Sequence, residues 1–183
     1  MDEDKLLIRK CLHGSRRHQN VLYKKYKGLV MGISRRYSKS KSEAEDIFQE
    51  SFIKIFKSLS RPSTIASLQR WIYRISVNTA INLFHQNKKH SDYLQFEFNE
   101  SSNEDYLGII DNLQTEVLLS LIQKLPDEYR VVFNMHVIDG YSHREIGELL
   151  SIPENTSRSH LHRAKNLLKE HLVSIRYTKY EAV

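Results

Sequence analysis

Proline and glycine are scarce in this 183-residue chain, at three and six residues. So few helix breakers exclude a turn-rich sheet protein and favour long helices joined by short turns. A single cysteine, Cys11, rules out an internal disulfide and a cysteine zinc cluster, which points to a reducing cytoplasm. No apolar run approaches the ~18 residues of a membrane span. Met1–Lys10 carries acids where a signal peptide is basic. The expectation is a cytosolic, all-α protein.

Basic residues are missing from one stretch altogether. Asp92–Thr115 holds six acids and no Lys or Arg, whereas Met1–Ser91 holds 19 Lys/Arg against 7 Asp/Glu. Glu116–Val183 balances nine against nine. A basic block, an acidic bridge and a neutral block imply two small helical domains, 1–91 and 114–183, joined by a linker over 92–113. The basic block points to a polyanion, DNA being the usual candidate. A merely soluble surface is the competing reading.

Apolar spacing places helices over Val21–Tyr37, Glu43–Leu59 and Leu68–Asn87. Arg61-Pro62 marks Ser60–Ser67 as a loop. The linker reads as unstructured, with a weak helix near Tyr106–Leu113 as the alternative. In the second domain Leu118, Leu121, Ile122 and Leu125 precede Pro126, which resets the chain. Tyr129, Val132, Phe133, His136 and Val137 then form an apolar face, and Gly140 is placed to stop that helix in the left-handed conformation. Ser142-His143-Arg144-Glu145 reads as a capping box. Ile146, Leu149 and Leu150 are expected to face inward, and a last helix to run from about Pro153 to Leu172.

A short capped helix, a tight turn and a longer basic helix make a helix-turn-helix. On the last helix Ser157, Leu161, Ala164, Leu168 and Leu172 fall on one face. Asn155, Arg158, Ser159, His162, Arg163 and Asn166 fall on another, concentrated where a recognition helix meets base edges. Arginine pairs bidentately with guanine, for roughly 1–3 kcal/mol of discrimination. Lys165, Lys169 and Arg176 suit phosphate contacts. A plain solvated face is the competing reading, which the capping box, glycine stop and turn weaken. His136, His143, His160, His162 and His171 lack carboxylate or thiolate companions at ligand spacing, so no metal is expected.

Two further helices carry patterns. Glu43–Leu59 has a second stripe of Asp46, Gln49 and Glu50, continued by Ile53. No second ligand helix or glycine-rich loop accompanies it, so a protein-binding face that meets arginines explains it better than a catalytic cluster. Leu68–Asn87 has a narrow polar strip of Arg70, Arg74, Asn78, Asn82 and His85, with Lys88 and Lys89 beyond. Trp71, Tyr73 and Phe84 crowd the rest. Aromatics beside basic and amide groups suit single-stranded DNA, where a stacked base contributes ~1–3 kcal/mol. For Trp71 plain core packing is the competing reading.

Three segments resemble the sigma-70 family in its small, extracytoplasmic-function branch, from about Leu22 to Leu172. Ala44-Glu45-Asp46-Ile47-Phe48-Gln49-Glu50-Ser51-Phe52 is similar to its polymerase-binding helix, and Leu68–Ile75 with Asn78 and Asn82 to its −10 helix. Leu125–Arg130, Gly140–Ser142 and Ser157–Lys165 look like its −35-reading domain. The resemblance implies that Asp46, Gln49, Glu50 and Ile53 hold the clamp of the largest core RNA polymerase subunit. Ser60–Ser67, with Arg61 and Ser63, would capture a flipped −10 base, and the polar strip with Trp71 would meet the opened strand. Asn155, Thr156, Ser157, Arg158, Ser159, His162, Arg163 and Lys165 would meet −35 DNA. It also implies contact with the flap of the second-largest subunit, an anti-sigma partner, a monomer when free, and no cofactor. The acidic linker would thread the RNA-exit region.

Departures stand beside the likeness. Asn82 replaces a usual aspartate, His85 and Gln86 replace arginines, Ser157 an apolar residue and His160 an arginine. Two rivals remain on the residues alone. A stand-alone helix-turn-helix regulator needs neither the acidic stripe nor the aromatic helix and usually dimerises. A nucleic-acid enzyme needs a nucleophile–base pair or metal cluster that the sequence does not offer.

Overall fold

The computed structural model describes residues 3–59, 65–91 and 113–180. Among these there are eight α-helices and no strand. The chain divides into two compact units, Met1–Leu83 and Phe84–Val183. The division falls inside a helix, whereas the sequence places the first domain's end at Ser91. Composition marks where a helix ends; compactness follows where its side chains pack.

The first unit begins with α1, Glu3–Leu12, which the apolar spacing did not announce. Acids in its first turn and Arg9 and Lys10 in its last complement the helix dipole. Gly14, at φ +73°, turns the chain into α2, Arg16–Tyr37. Ser38 ends α2, its N–H bonding to the Ser34 carbonyl. The turn into α3, Lys41–Leu59, is locked twice. The Ser40 hydroxyl accepts from the Glu43 N–H, and the Glu43 carboxylate accepts from the Lys39 N–H at 2.7 Å. Helix α4, Leu68–Ser91, starts where the Ser67 carbonyl accepts from the Trp71 N–H.

These four helices bury one core. Leu7 and Cys11 of α1 meet Leu22, Tyr26 and Val30 of α2, Phe52, Ile55 and Leu59 of α3, and Leu68 and Ile72 of α4. Tyr23, Phe48, Phe52 and Phe56 form an aromatic row, with successive centroids 4.8–6.1 Å apart. Phe48 and Phe56 are only half-buried and pack against this core. Arg36 of α2 donates to the Tyr73 hydroxyl of α4 at 2.8 Å, so that tyrosine fastens the bundle.

The second unit's described helices beyond α4 are α5 (Leu113–Gln123), α6 (Asp127–Phe133), α7 (His143–Leu150) and α8 (Glu154–Tyr180). Arg130 is its least expected core residue, at 2% exposure. Its guanidinium donates to the Leu125 carbonyl at 2.8 Å and to the Asp127 carboxylate at 2.6 Å. It therefore satisfies backbone acceptors left over at the end of α5. From Asn134 to Ile138 the helix widens into a π turn, closed by the Asp139 N–H on the Asn134 carbonyl at 2.9 Å. The register shifts with it. Val131, Val132 and Met135 take the core, while Val137, expected on the apolar face, is 48% exposed.

Gly140 leaves the π turn at φ +79°, in the left-handed region as its position predicts. Two other inward assignments are corrected. Leu149 is 39% exposed, because in the short α7 the inward row is Ile146 and Leu150, one turn apart. Leu172 is also exposed, since the α8 face that packs runs through Ser157, Leu161 and Ala164.

Candidate nucleic-acid interface

Local chemistry builds the helix-turn-helix. The Ser142 hydroxyl accepts from the Glu145 N–H at 3.2 Å, and the Glu145 carboxylate accepts from the Ser142 N–H at 2.8 Å. The Ser142 hydroxyl, which also donates to the Glu145 carboxylate at 2.7 Å, and then the Ser142 N–H hold that carboxyl below its usual range. At the other end of α7, Ser151 adopts the left-handed conformation, φ +56°, and the Ile152 N–H bonds back to the Gly147 carbonyl. The turn closes so tightly that a Cβ on Gly147 would lie 2.8 Å from the Ile152 carbonyl oxygen. Glycine is required there by close approach.

Helix α8 packs on α6 and α7 through its inner row. Ser157 belongs to that row, fully buried, with its Oγ 2.9 Å from the His143 Nδ1. The expectation that Ser157 meets DNA is therefore corrected: no face of it reaches solvent. His143 in turn stacks on His136, with centroids 4.2 Å apart and planes 14° from parallel. His136 donates through Nδ1 to the Tyr141 carbonyl. Burial, then the neighbouring His136, pushes the His143 imidazole below its ordinary value. Among the described residues no group of three or more His, Cys, Asp or Glu side chains is arranged to hold a metal.

The outer face of α8 carries the rest. Asn155, Arg158, Ser159, His162, Arg163 and Lys165 are all exposed, and Thr156 is half-buried. Several are already oriented. Arg158 pairs with Glu154 one turn back, and the Ser159 hydroxyl donates to the Thr156 carbonyl at 2.9 Å. Asn166 donates weakly to the His162 ring. Arg163 reaches across to α6, donating to the Tyr129 hydroxyl at 3.1 Å, which raises its guanidinium's hold on its proton. Tyr129 and Glu154 were missed by sequence reasoning. Tyr129 reads as one more apolar position, and its partner lies 34 residues later.

In the first unit Arg70, Arg74, Asn78 and Asn82 are all exposed along α4, at four-residue steps. Such a strip runs about 18 Å along the helix. Trp71 does not stand out from it, being half-buried and packed against the core. His85, half-buried, and Lys88, exposed, lie past the Leu83–Phe84 division, in the second unit. Lys89 has its backbone in α4 but its side chain, like Arg61, Ser63 and the acidic linker, lies outside the described residues. On α3, Asp46 and Gln49 are exposed, Ile53 is 45% exposed, and Glu50 is half-exposed, 3.5 Å from Lys54. The stripe faces away from the buried Ala44, Ile47, Ser51 and Ile55.

Comparison with known proteins gives this arrangement its context. Residues 22–90 match the family described as Sigma-70 region 2, and residues 115–168 match Sigma-70, region 4. The ECF RNA polymerase sigma-E factor of Haemophilus influenzae is 27% identical over 177 residues, covering 91% of this chain and 93% of that protein. Its Escherichia coli K12 counterpart is 29% identical, covering 90% and 92%. Among solved structures, CnrH in complex with the cytosolic domain of CnrY shares the fold at a TM-score of 0.50 and 18% identity, covering 94% of this chain and 99% of that one. The sigma factor RpoE of Bartonella quintana, in complex with the anti-sigma factor NepR, also gives 0.50 and 18%, covering 84% and 95%. Two region matches in order, with relatives that span nine-tenths of the chain, place the protein: it belongs to the sigma-70 family, as an RNA polymerase sigma factor of the extracytoplasmic-function branch.

Proposed function

We propose that the chain joins core RNA polymerase through α3, reads −35 DNA through α8, reads the opened −10 strand through α4, and nucleates promoter melting. The observation that carries this reading is the outer face of α8, where Asn155, Arg158, Ser159, His162, Arg163 and Lys165 stand exposed over a buried row. Exposed donors on the first turns of a helix held by a capped partner suit the major groove. The residues at 70, 74, 78 and 82 present two cations followed by two amides, a chemistry that takes phosphates and unpaired base edges alike. Opening a duplex costs ~1.4 kcal/mol per base-pair step, so a few captured bases offset a short bubble.

The acidic stripe of α3 complements arginines on a protein partner, and Ile53 adds an apolar anchor beside it. Polymerase performs the chemistry, and this chain contributes binding energy in the cytoplasm as a non-enzymatic, dissociable subunit. Residues 1–91 and 114–183 act as the two promoter-facing parts, with the acidic linker between them. One of the solved structures is a complex with an anti-sigma factor, and a partner of that class is proposed here too.

Purified chain added to core polymerase on a linear promoter library tests the whole reading. Discrete runoff transcripts dependent on the chain are expected. Tight DNA binding without transcripts would instead identify a stand-alone regulator, and DNA turnover without polymerase an enzyme.

A further inference from the structure

Tyr129 sits at the start of α6, yet it touches two residues of α8 in two different ways. Its ring lies 5.1 Å from the His160 ring, with planes 57° apart. Its hydroxyl accepts a hydrogen bond from Arg163 Nη1 at 3.1 Å. Residues 160 and 163 are neighbours on one helix surface, three apart. One faces inward and the other outward. His160 is half-buried, and its Nδ1 is buried without a hydrogen-bond partner. Burial depresses its pKa. An uncharged ring is the form that a dry contact favours. Arg163 is exposed, on the edge of the face that the proposed function gives to −35 DNA.

We infer that Tyr129 is a positioning residue for promoter recognition: its ring, seated on His160, aims its hydroxyl at Arg163 and holds that guanidinium extended at the edge of the DNA-facing surface before DNA arrives. This rests on the reading of α8 as the −35 face. A long arginine side chain loses rotamer freedom when it docks, and a side chain already restrained loses less. The tyrosine hydroxyl suits the task because it is neutral. It fixes the guanidinium without cancelling the charge that phosphates or guanine require, as a carboxylate would. The same contact gives the inward histidine a purpose. An arginine in the place of His160 would bring a second cation against Tyr129 and compete for its hydroxyl.

The test is a double-mutant cycle on the holoenzyme. Native chain, Tyr129→Phe, Arg163→Ala and the double variant are each assembled with core polymerase. The probe is the duplex that native holoenzyme enriches from a pool randomised over the −35 window, and binding is followed across a salt series. Tyr129→Phe keeps the ring on His160 and removes only the hydroxyl, so helicity and core binding are expected unchanged. DNA binding is expected to weaken roughly three- to tenfold. The salt slope should stay at the native value, because the arginine charge remains, whereas Arg163→Ala should lower it by about one. In the Arg163→Ala background the phenylalanine should cost nothing more. An equal cost in both backgrounds, or no cost in either, overturns the positioning role alone. If Arg163→Ala itself leaves the affinity and slope unchanged, the assignment of that edge of α8 to DNA fails, and the inference with it.

Discussion

The Nδ1 of His143 lies 2.9 Å from the Oγ of Ser157, a bond that spans the tight turn and ties α7 to the first turn of α8. Stacking on His136 keeps the His143 ring in place from the other side. Desolvation first, then the positive fields of His136 and Arg158, lower its pKa from 6.5, while Glu154 opposes them. The folded chain thus prefers this imidazole neutral.

Acid should therefore loosen this joint. Well above pH 6.5 the group is neutral in both folded and unfolded chains and contributes no pH dependence. As pH falls through 6.5 the unfolded chain takes up the proton first, and stability drops until the folded-state pKa is passed. Thermal melts of native chain and His143→Gln over a pH series check this. The native-minus-variant difference should be flat at high pH and decline through this window. Parallel curves would remove His143 from the account.

Arg130 and Arg158 should behave as opposites. Arg130 is buried, with backbone carbonyls of the α5 end as acceptors. Arg130→Ala strands those acceptors and is expected to cost about 3 kcal/mol in urea unfolding. Arg158 is paired with Glu154 on an exposed face. Arg158→Ala should change stability by no more than about 0.5 kcal/mol. It should nonetheless weaken −35 binding by about tenfold or more in holoenzyme filter assays.

Reversing charge at Asp46 and Glu50 together should abolish core-polymerase binding while far-UV circular dichroism and melting stay native. Asp46 is exposed, and Glu50 lies 3.5 Å from Lys54. A matching loss of helicity would make the stripe a structural feature of α3 and not a docking surface.

Much of this architecture was legible because its determinants are local. Gly140, Ser142 with Glu145, and Pro126 each act within four residues, and each sits where its chemistry requires. The α3 and α4 helices follow from apolar rows at 3.6-residue spacing. What the pattern did not carry was long-range or irregular. The π turn at Asn134–Ile138 adds a residue to one winding, so a regular period assigned Val137 to the core and left Met135 out. The use of the Ser157 hydroxyl inside the fold was not legible, because its partner, His143, lies 14 residues earlier. The role of Tyr129 depends on Arg163, across a second turn and another helix.

Gly147 gives the turn its sharpness, and a branched side chain there should undo it. The Cβ of any other residue meets the Ile152 carbonyl oxygen at 2.8 Å, a backbone atom with little room to retreat. Gly147→Val should destabilise the second unit by about 1–3 kcal/mol and abolish −35 binding. Chemical denaturation and holoenzyme footprinting measure the two effects. Asp46-dependent polymerase binding should survive, since it resides in the other unit.

The inward guanidinium of Arg130 also dictates where the DNA-reading half can be cut away for separate use. Its acceptors include the carbonyls of Gln123 and Leu125, upstream of the proline that looks like a natural starting point. A fragment begun at Pro126 would keep the Asp127 carboxylate but leave the carbonyl acceptors of that cation behind on the discarded piece. Any truncation, fusion or domain swap that means to keep this half folded has to carry the end of α5 along with it.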